Sequence, residues 1–402
     1  MKNEKIINEI MGVPKSLDPW VEAFYQVIKY QIESEISGGW EYEGSMQYKD
    51  PETNEIVDDV AKKTDEIIIP GNEVMDELMG SLGFNDLKEF IKSELFATLP
   101  IWRPEITLSI VGIPNVAYEM EKGNPIEASV GSKMGHELSH VGKIVVFSNL
   151  IYDFSVVMPV DGITKKFESD LKSTIAHELL HTHQMFKQLE KGKPSHHGKE
   201  TMLNTLTQIP ALNQIELNSW RKFLHLVYVH LSFEINARVV ELYHKFKGMG
   251  VNTKEEFLKE LKNTHIWKYT KELENFSAED FIKSFELPST KLDFGNSNPF
   301  EMLHKLLTGQ TDLEMLKRRG IDVSSENEAL KSLINIWDLI LQAGNEELKN
   351  NTGIDFDMMP VPENAKQDPY LFFKFFEKRF HKKAEKWKRK LYRLSAILLE
   401  EN

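Results

Sequence analysis

No cysteine occurs anywhere in the 402 residues. That absence removes disulfide frameworks, thiol nucleophiles and every cysteine-bearing zinc site at once, so a bound metal would have to be held by nitrogen and oxygen ligands. With no bridge to form, the chain fits a reducing compartment better than a small secreted scaffold. An excess of positive charge is missing too: 49 Lys+Arg stand against 62 Asp+Glu, a formal net charge of −13. Such a balance argues against broad affinity for nucleic acid or anionic membrane, while a local basic patch stays open. Nor is there an apolar run long enough to cross a bilayer. The most apolar stretch, Phe223 to Phe233, holds His225 and His230 and is about half the required length, so it reads as a buried helix. The opening residues, Met1-Lys2-Asn3-Glu4-Lys5-Ile6, mix both signs of charge and lead into no signal-type apolar segment. The expectation is a cytoplasmic chain without a transmembrane segment.

What is present is enough for one large or two moderate packed domains, with 41% hydrophobic residues. Asp18, Pro19 and the Gly38-Gly39 pair punctuate a first helix, whose apolar face is Trp20, Phe24, Val27 and Ile28. Trp40 to Ile69 is polar and turn-rich, as in a hairpin or surface excursion, and a helical patch follows at about 72–99. Strand signals then gather at Ile106 to Val111, Ile144 to Phe147 and Phe154 to Val160. Beyond Asp161-Gly162 the period becomes helical, with helices expected at about 169–191, 216–247, 254–275, 277–286, 298–319, 324–349 and 370–400. Sheet first and helices afterwards predicts an α+β architecture: a catalytic region over 1–250 and a helical lobe over 251–402.

The strongest chemical signal is His177-Glu178-Leu179-Leu180-His181. On a helix, residues four apart share a face, so both imidazoles can reach one ion while the intervening Glu turns toward a water beside it. Ser169 is the expected cap, and Leu171, Ile175, Leu179, Phe186 and Leu189 form a separate apolar face. A second copy, His136-Glu137-Leu138-Ser139-His140, lies between glycines and a β-like run. In a strand its two histidines would stand roughly 13 Å apart, too far for one zinc.

A catalytic zinc commonly takes three protein ligands. His183 is two residues past His181 and points away from the ligand face, and Lys187 occupies the place where a longer motif would carry a third His. Glu200, Glu216, Glu234 and Glu241 are the downstream candidates. Glu234 stands out because it interrupts an apolar run, where a bare carboxylate is costly to bury without a cation. A metal would supply that cation; so would Arg238, four residues on.

His177 to His181 followed by Glu234 in Phe233-Glu234-Ile235-Asn236-Ala237-Arg238 resembles the zincin metallopeptidases, specifically the gluzincin arrangement of two His and one Glu. More loosely, the Glu-Ile-Asn-Ala-Arg segment and the basic C-terminal helix look like predicted metallopeptidases of tailed bacteriophages, which would place the chain in the host cytoplasm or the virion. The first match covers about 70 residues, and the short Asn-Glu-x-x-x-Asp form of the third-ligand motif is missing. The resemblance implies a small mixed sheet with an active-site helix, zinc on His177, His181 and Glu234, Glu178 as general base, and a peptide or protein substrate. His230 and Arg238 flank Glu234 at four-residue spacing and are candidates to stabilise the transition state, as are Tyr228 and Tyr243; the reading favoured for each is a capped or paired core group, since no spacing rule selects one. The other function class is a zincin-derived structural or binding protein with a non-catalytic metal site.

Along the C-terminal helix, Phe373, Phe376, Phe380, Ala384, Trp387, Leu391, Leu394 and Leu398 make an apolar stripe, and Lys374 to Arg393 holds ten Lys or Arg against two Glu. The stripe is expected to dock in the helical lobe, and the basic face is either solvated or open to an acidic partner or nucleic acid. His196-His197, in a Gly/Pro-flanked loop, is expected at the surface.

Overall fold

A computed structural model describes residues 17–39, 42–120, 126–141, 143–190, 217–284, 326–352 and 354–400. The helix expected at 298–319, the His196-His197 pair, Glu200 and Glu216 lie outside the described residues. In chain order the elements are α1 (Leu17–Gly38), β1 (Tyr42–Lys49), β2 (Ile56–Lys63), β3 (Ile67–Ile69), α2 (Gly71–Ser81), α3 (Leu87–Lys92), α4 (Glu94–Thr98), β4 (Glu105–Ile113), α5 (Asn115–Met120), β5 (Ile126–Val141), β6 (Ile144–Pro159) and α6 (Lys165–Glu190). Helices follow: α7 (Leu217–Val229), α8 (Ser232–Met249), α9 (Lys254–Lys262), α10 (His265–Asn275), α11 (Ala278–Ser284), α12 (Glu326–Thr352), α13 (Glu363–Gln367) and α14 (Pro369–Glu400). The fold is α+β.

Six strands form one mixed sheet in the order β1-β2-β4-β6-β5, with the short β3 also beside β4. β4 and β6 run parallel, from Glu105 opposite Ile151 to Ile113 opposite Pro159, and every other pairing is antiparallel. Alternation explains β4: Ile106, Leu108 and Ile110 are buried while Glu105, Thr107 and Ser109 are half-exposed. β6 joins two expected strands into one, because Leu150 and Tyr152 carry its buried face across the gap. β5, with Gly131 and Gly135 inside it, gave no strand pattern of its own, and its pairing with β6 shifts register between Ser132 and Glu137. The second His-Glu-x-x-His lies in this strand, with Glu137 opposite Ser148 and His140 opposite Val145.

The described residues fall into two compact units, one drawn from Met1–Ser195, Ile235–Trp267 and Lys390–Asn402, the other from His196–Glu234 and Lys268–Arg389. Where one cut after residue 250 was expected, the chain enters each unit more than once. In the first unit α1 and α6 are neighbours, with Lys172 Nζ 2.7 Å from Glu22 Oε2 and over the Tyr25 ring at 4.3 Å. Phe24 of α1 meets Tyr152 of the sheet edge-on at 5.0 Å, and the Tyr152 hydroxyl is 2.7 Å from Thr182 Oγ1 of α6. Leu171, Ile175 and Leu179 give α6 its buried apolar side.

α8 lies antiparallel to α6. Ser169 Oγ donates to the Lys245 carbonyl at 2.7 Å, Lys245 Nζ is 2.6 Å from Asp170 Oδ1, and further along His177 meets Glu241. Gly248 makes the close approach possible: a Cβ there would come within 2.8 Å of Ser169 Oγ.

The second unit is centred on Phe223, whose ring stacks on Trp220 at 5.2 Å and meets Phe373 and Phe376 edge-on at 5.0 and 5.3 Å. Phe373, Phe376, Phe380 and Ala384 of α14 belong to that core, as their spacing predicts. Among the described residues, no helix is long and apolar enough to cross a membrane.

Candidate metal centre

The helix that carries His177 and His181 begins a turn earlier than expected. Thr164 caps it, its Oγ1 accepting from the Phe167 amide at 3.2 Å, whereas Ser169 lies inside the helix and donates to Lys245. One turn of helix sets the two imidazoles edge to face, ring planes at 83° and Nε2 atoms 2.9 Å apart. The single helix expected over 216–247 is two, α7 and α8, interrupted at His230-Leu231. That break moves Glu234 from mid-helix to the first turn of α8. Ligand atoms of His177, His181 and Glu234 all lie within 4.8 Å of one another, and the three side chains are buried, Glu234 completely.

The two Nε2 atoms face each other, and each Nδ1 faces an oxygen. His177 Nδ1 stands 3.2 Å from Glu241 Oε2, and His181 Nδ1 stands 3.4 Å from Gln184 Oε1. Both of these oxygens are acceptors, an arrangement that favours the tautomer with the proton on Nδ1 and a lone pair on Nε2. Two lone pairs 2.9 Å apart repel unless a proton or a metal ion lies between them. A third buried donor that is itself a carboxylate favours the ion, since an uncompensated carboxylate is expensive to bury. Donors held at about 2.1 Å from one ion can be up to about 4 Å apart, so the group fits a metal with small side-chain shifts.

Around these three lies a second layer. Tyr228 OH donates to Glu234 Oε2 at 2.7 Å. Glu241 accepts from Arg238 Nη1 at 2.9 Å through Oε2, and its Oε1 is 3.3 Å from His265 Nε2. Burial would raise the Glu241 pKa, but Arg238, His265 and the bond from His177 outweigh it and hold the carboxyl well below its usual range. Glu241, a candidate ligand by sequence, therefore stands behind His177 as a fixed anion. A carboxylate on the far nitrogen orients a ligating imidazole and raises its basicity. Arg238, the rival partner considered for Glu234, directs Nη1 to Glu241.

Glu178 is buried on α6 beside His177. His183 points elsewhere, its Nδ1 2.8 Å from the Thr98 carbonyl. His230 belongs to the aromatic core of the second unit, against Phe380 at 5.3 Å and Phe376 at 6.1 Å, with Nδ1 donating to the Val227 carbonyl. Burial, reinforced by the charges of Arg379 and Lys383, lowers its pKa to about 3 despite that bond. His230, a candidate by spacing, is thus placed among core rings, as the paired-core reading expects. Tyr243, another candidate donor, accepts from Lys247 Nζ at 3.1 Å.

Sequence reasoning missed His265 altogether and named Glu241 only as a possible ligand. His265 opens a different helix and carries no spacing signal. Glu241 was readable as part of an i, i+4, i+7 face with Glu234 and Arg238, a pattern that places it near the site without saying on which side of His177. Comparison with known proteins returns no matching family model, no matching curated protein and no matching solved structure.

Proposed function

We propose that this chain is a zinc-dependent peptidase of the zincin type, with the gluzincin ligand set His177, His181 and Glu234. The observation that carries the reading is the buried convergence of those three side chains, with an acceptor oxygen facing the outer nitrogen of each imidazole. A bound zinc ion would supply Lewis acidity, bringing a water toward ionisation at neutral pH and polarising a carbonyl. Glu178 would take the proton from the attacking water and return it to the departing amine. Glu241 holds the His177 ring in its tautomer, Gln184 does so for His181, and Tyr228 fixes one Glu234 oxygen. Arg238 keeps Glu241 ionised.

The test is metal content and turnover measured together. Purified chain should carry about one zinc, lost when His177 and His181 are both changed to Ala. Glu178→Gln should retain the metal and lose peptide hydrolysis by at least about a hundredfold. Zinc binding that survives the double histidine change would refute the site.

One observation favours a second reading. Every member of the group is at least nine-tenths buried, Glu178 included, which suits a structural ion. That reading expects zinc at the same residues, no turnover on any peptide library, and no effect of Glu178→Gln beyond stability.

A further inference from the structure

The ten basic residues between Lys374 and Arg393 differ in their surroundings. Lys374 pairs with Glu377 at 2.9 Å, Lys388 with Glu274 and, at 3.2 Å, with Glu385, and Lys390 donates to Asn236 at 2.8 Å. A second set, Arg379, Lys382, Lys383 and Lys386, recurs at steps of three and four and so runs along one side of α14 for about 10 Å. Its partners among the described residues are neutral. Lys383 Nζ donates to Ser232 Oγ at 2.7 Å; the Arg379 guanidinium lies over the Phe375 ring at 5.2 Å, and its Nε is buried without a hydrogen-bond partner.

Two of these cations give up solvent without gaining a counter-charge, which costs stability. Lys383 registers the cost: burial, then Lys386, Arg379 and Lys382, lower its pKa to about 8. Arg379 is likewise shifted downward by burial. An anion bound along this side would restore the balance. The same helix has little to offer a bilayer, because Phe372, Phe373, Phe376, Phe380, Ala384 and Trp387 are all buried and no apolar wedge accompanies the charge. A polynucleotide strand supplies an unbroken row of charges to a row of cations, whereas an acidic peptide supplies charge only as its sequence allows. The fork of Arg379 matches a phosphate through two parallel bonds.

We propose that Arg379, Lys382, Lys383 and Lys386 form a phosphate-binding stripe that takes single-stranded nucleic acid. The stripe shares no residue with the three candidate ligands, and the proposal does not depend on the peptidase reading. The acidic balance of the rest of the chain confines the attraction to this stripe and makes it salt-sensitive.

The experiment is fluorescence anisotropy of a labelled single-stranded oligonucleotide of about 20 nucleotides with the full chain, from about 50 to 200 mM salt. Three or four neutralised phosphates predict a slope of log K on log salt of about −2 to −3. Changing all four residues to Gln should lower affinity at least tenfold, by order of magnitude, and flatten the slope. Lys374→Gln with Lys388→Gln, which removes cations already paired, should leave both within about twofold. Arg379 and Lys383 are half-buried, so Lys382→Gln with Lys386→Gln serves as a variant that keeps the core; it should weaken binding by about threefold or more. The proposal is overturned if wild-type chain fails to bind at low salt or if the stripe variants bind as well as wild type. It is equally overturned if anionic vesicles or polyglutamate engage the stripe as tightly as the oligonucleotide.

Discussion

Glu241 shows how much a single carboxylate can organise. It meets His177 on one oxygen together with Arg238, and His265 on the other. Glu241→Gln would keep the shape but replace an anion with an amide beside His177. Zinc affinity should fall by about 10- to 100-fold, read by competition with a chelating dye; unchanged affinity would mean that the carboxylate does not tune the ligand. Buried histidines set a different residue-scale property. His230 and His244 have pKa values lowered to about 3 and about 4, in both cases by burial first. A histidine with a depressed folded pKa takes up its proton more readily when unfolded. Its stabilising contribution is therefore complete above about pH 6.5 and is lost as pH falls toward the folded value. Unfolding free energies from urea titrations should decline by a few kcal/mol in total between about pH 6.5 and 4, and His230→Leu should flatten part of that slope. Glu241, also held below its usual range, adds its own loss only below about pH 4.5.

Among the elements, the pair α6 and α8 determines the geometry of the site, and Gly248 determines how closely they approach. Gly248→Ala should cost about 1–3 kcal/mol in urea unfolding, with partial recovery when Ser169 is changed to Gly. Thr164→Ala should cost about 1 kcal/mol through loss of the cap. These elements also mark where sequence was informative. The helical period around His177 and the alternation in β4 were both legible, because one face of each is apolar and the other is not. The division of 216–247 into two helices was not: His230 and Leu231 carry no glycine or proline to announce a break, and the buried aromatic setting of His230 arises from α14, some 150 residues away. β5 was illegible for the opposite reason, since its pairing with β6 overrides a glycine-containing sequence of weak strand character. Within the site, His177, His181 and Glu234 could be proposed from letters and spacing, whereas the acceptors that fix their tautomers depend on which helix lies behind which.

At the scale of the whole molecule, a ligand that binds only the folded chain should raise its stability. Zinc at about a thousand times its dissociation constant should contribute about 4 kcal/mol, so chelation should lower Tm in the wild type and leave the His177→Ala, His181→Ala variant unmoved. The two units can be followed separately by their own light. Four tryptophans are among the largest fully buried side chains; Trp20 lies in the first unit, and Trp220, Trp337 and Trp387 lie in the second. The first unit's segments also hold Trp40, Trp102 and Trp267, so a chain with Trp20, Trp40, Trp102 and Trp267 all changed to Phe would emit from Trp220, Trp337 and Trp387 alone, giving an optical label for whether the two units unfold together or in turn.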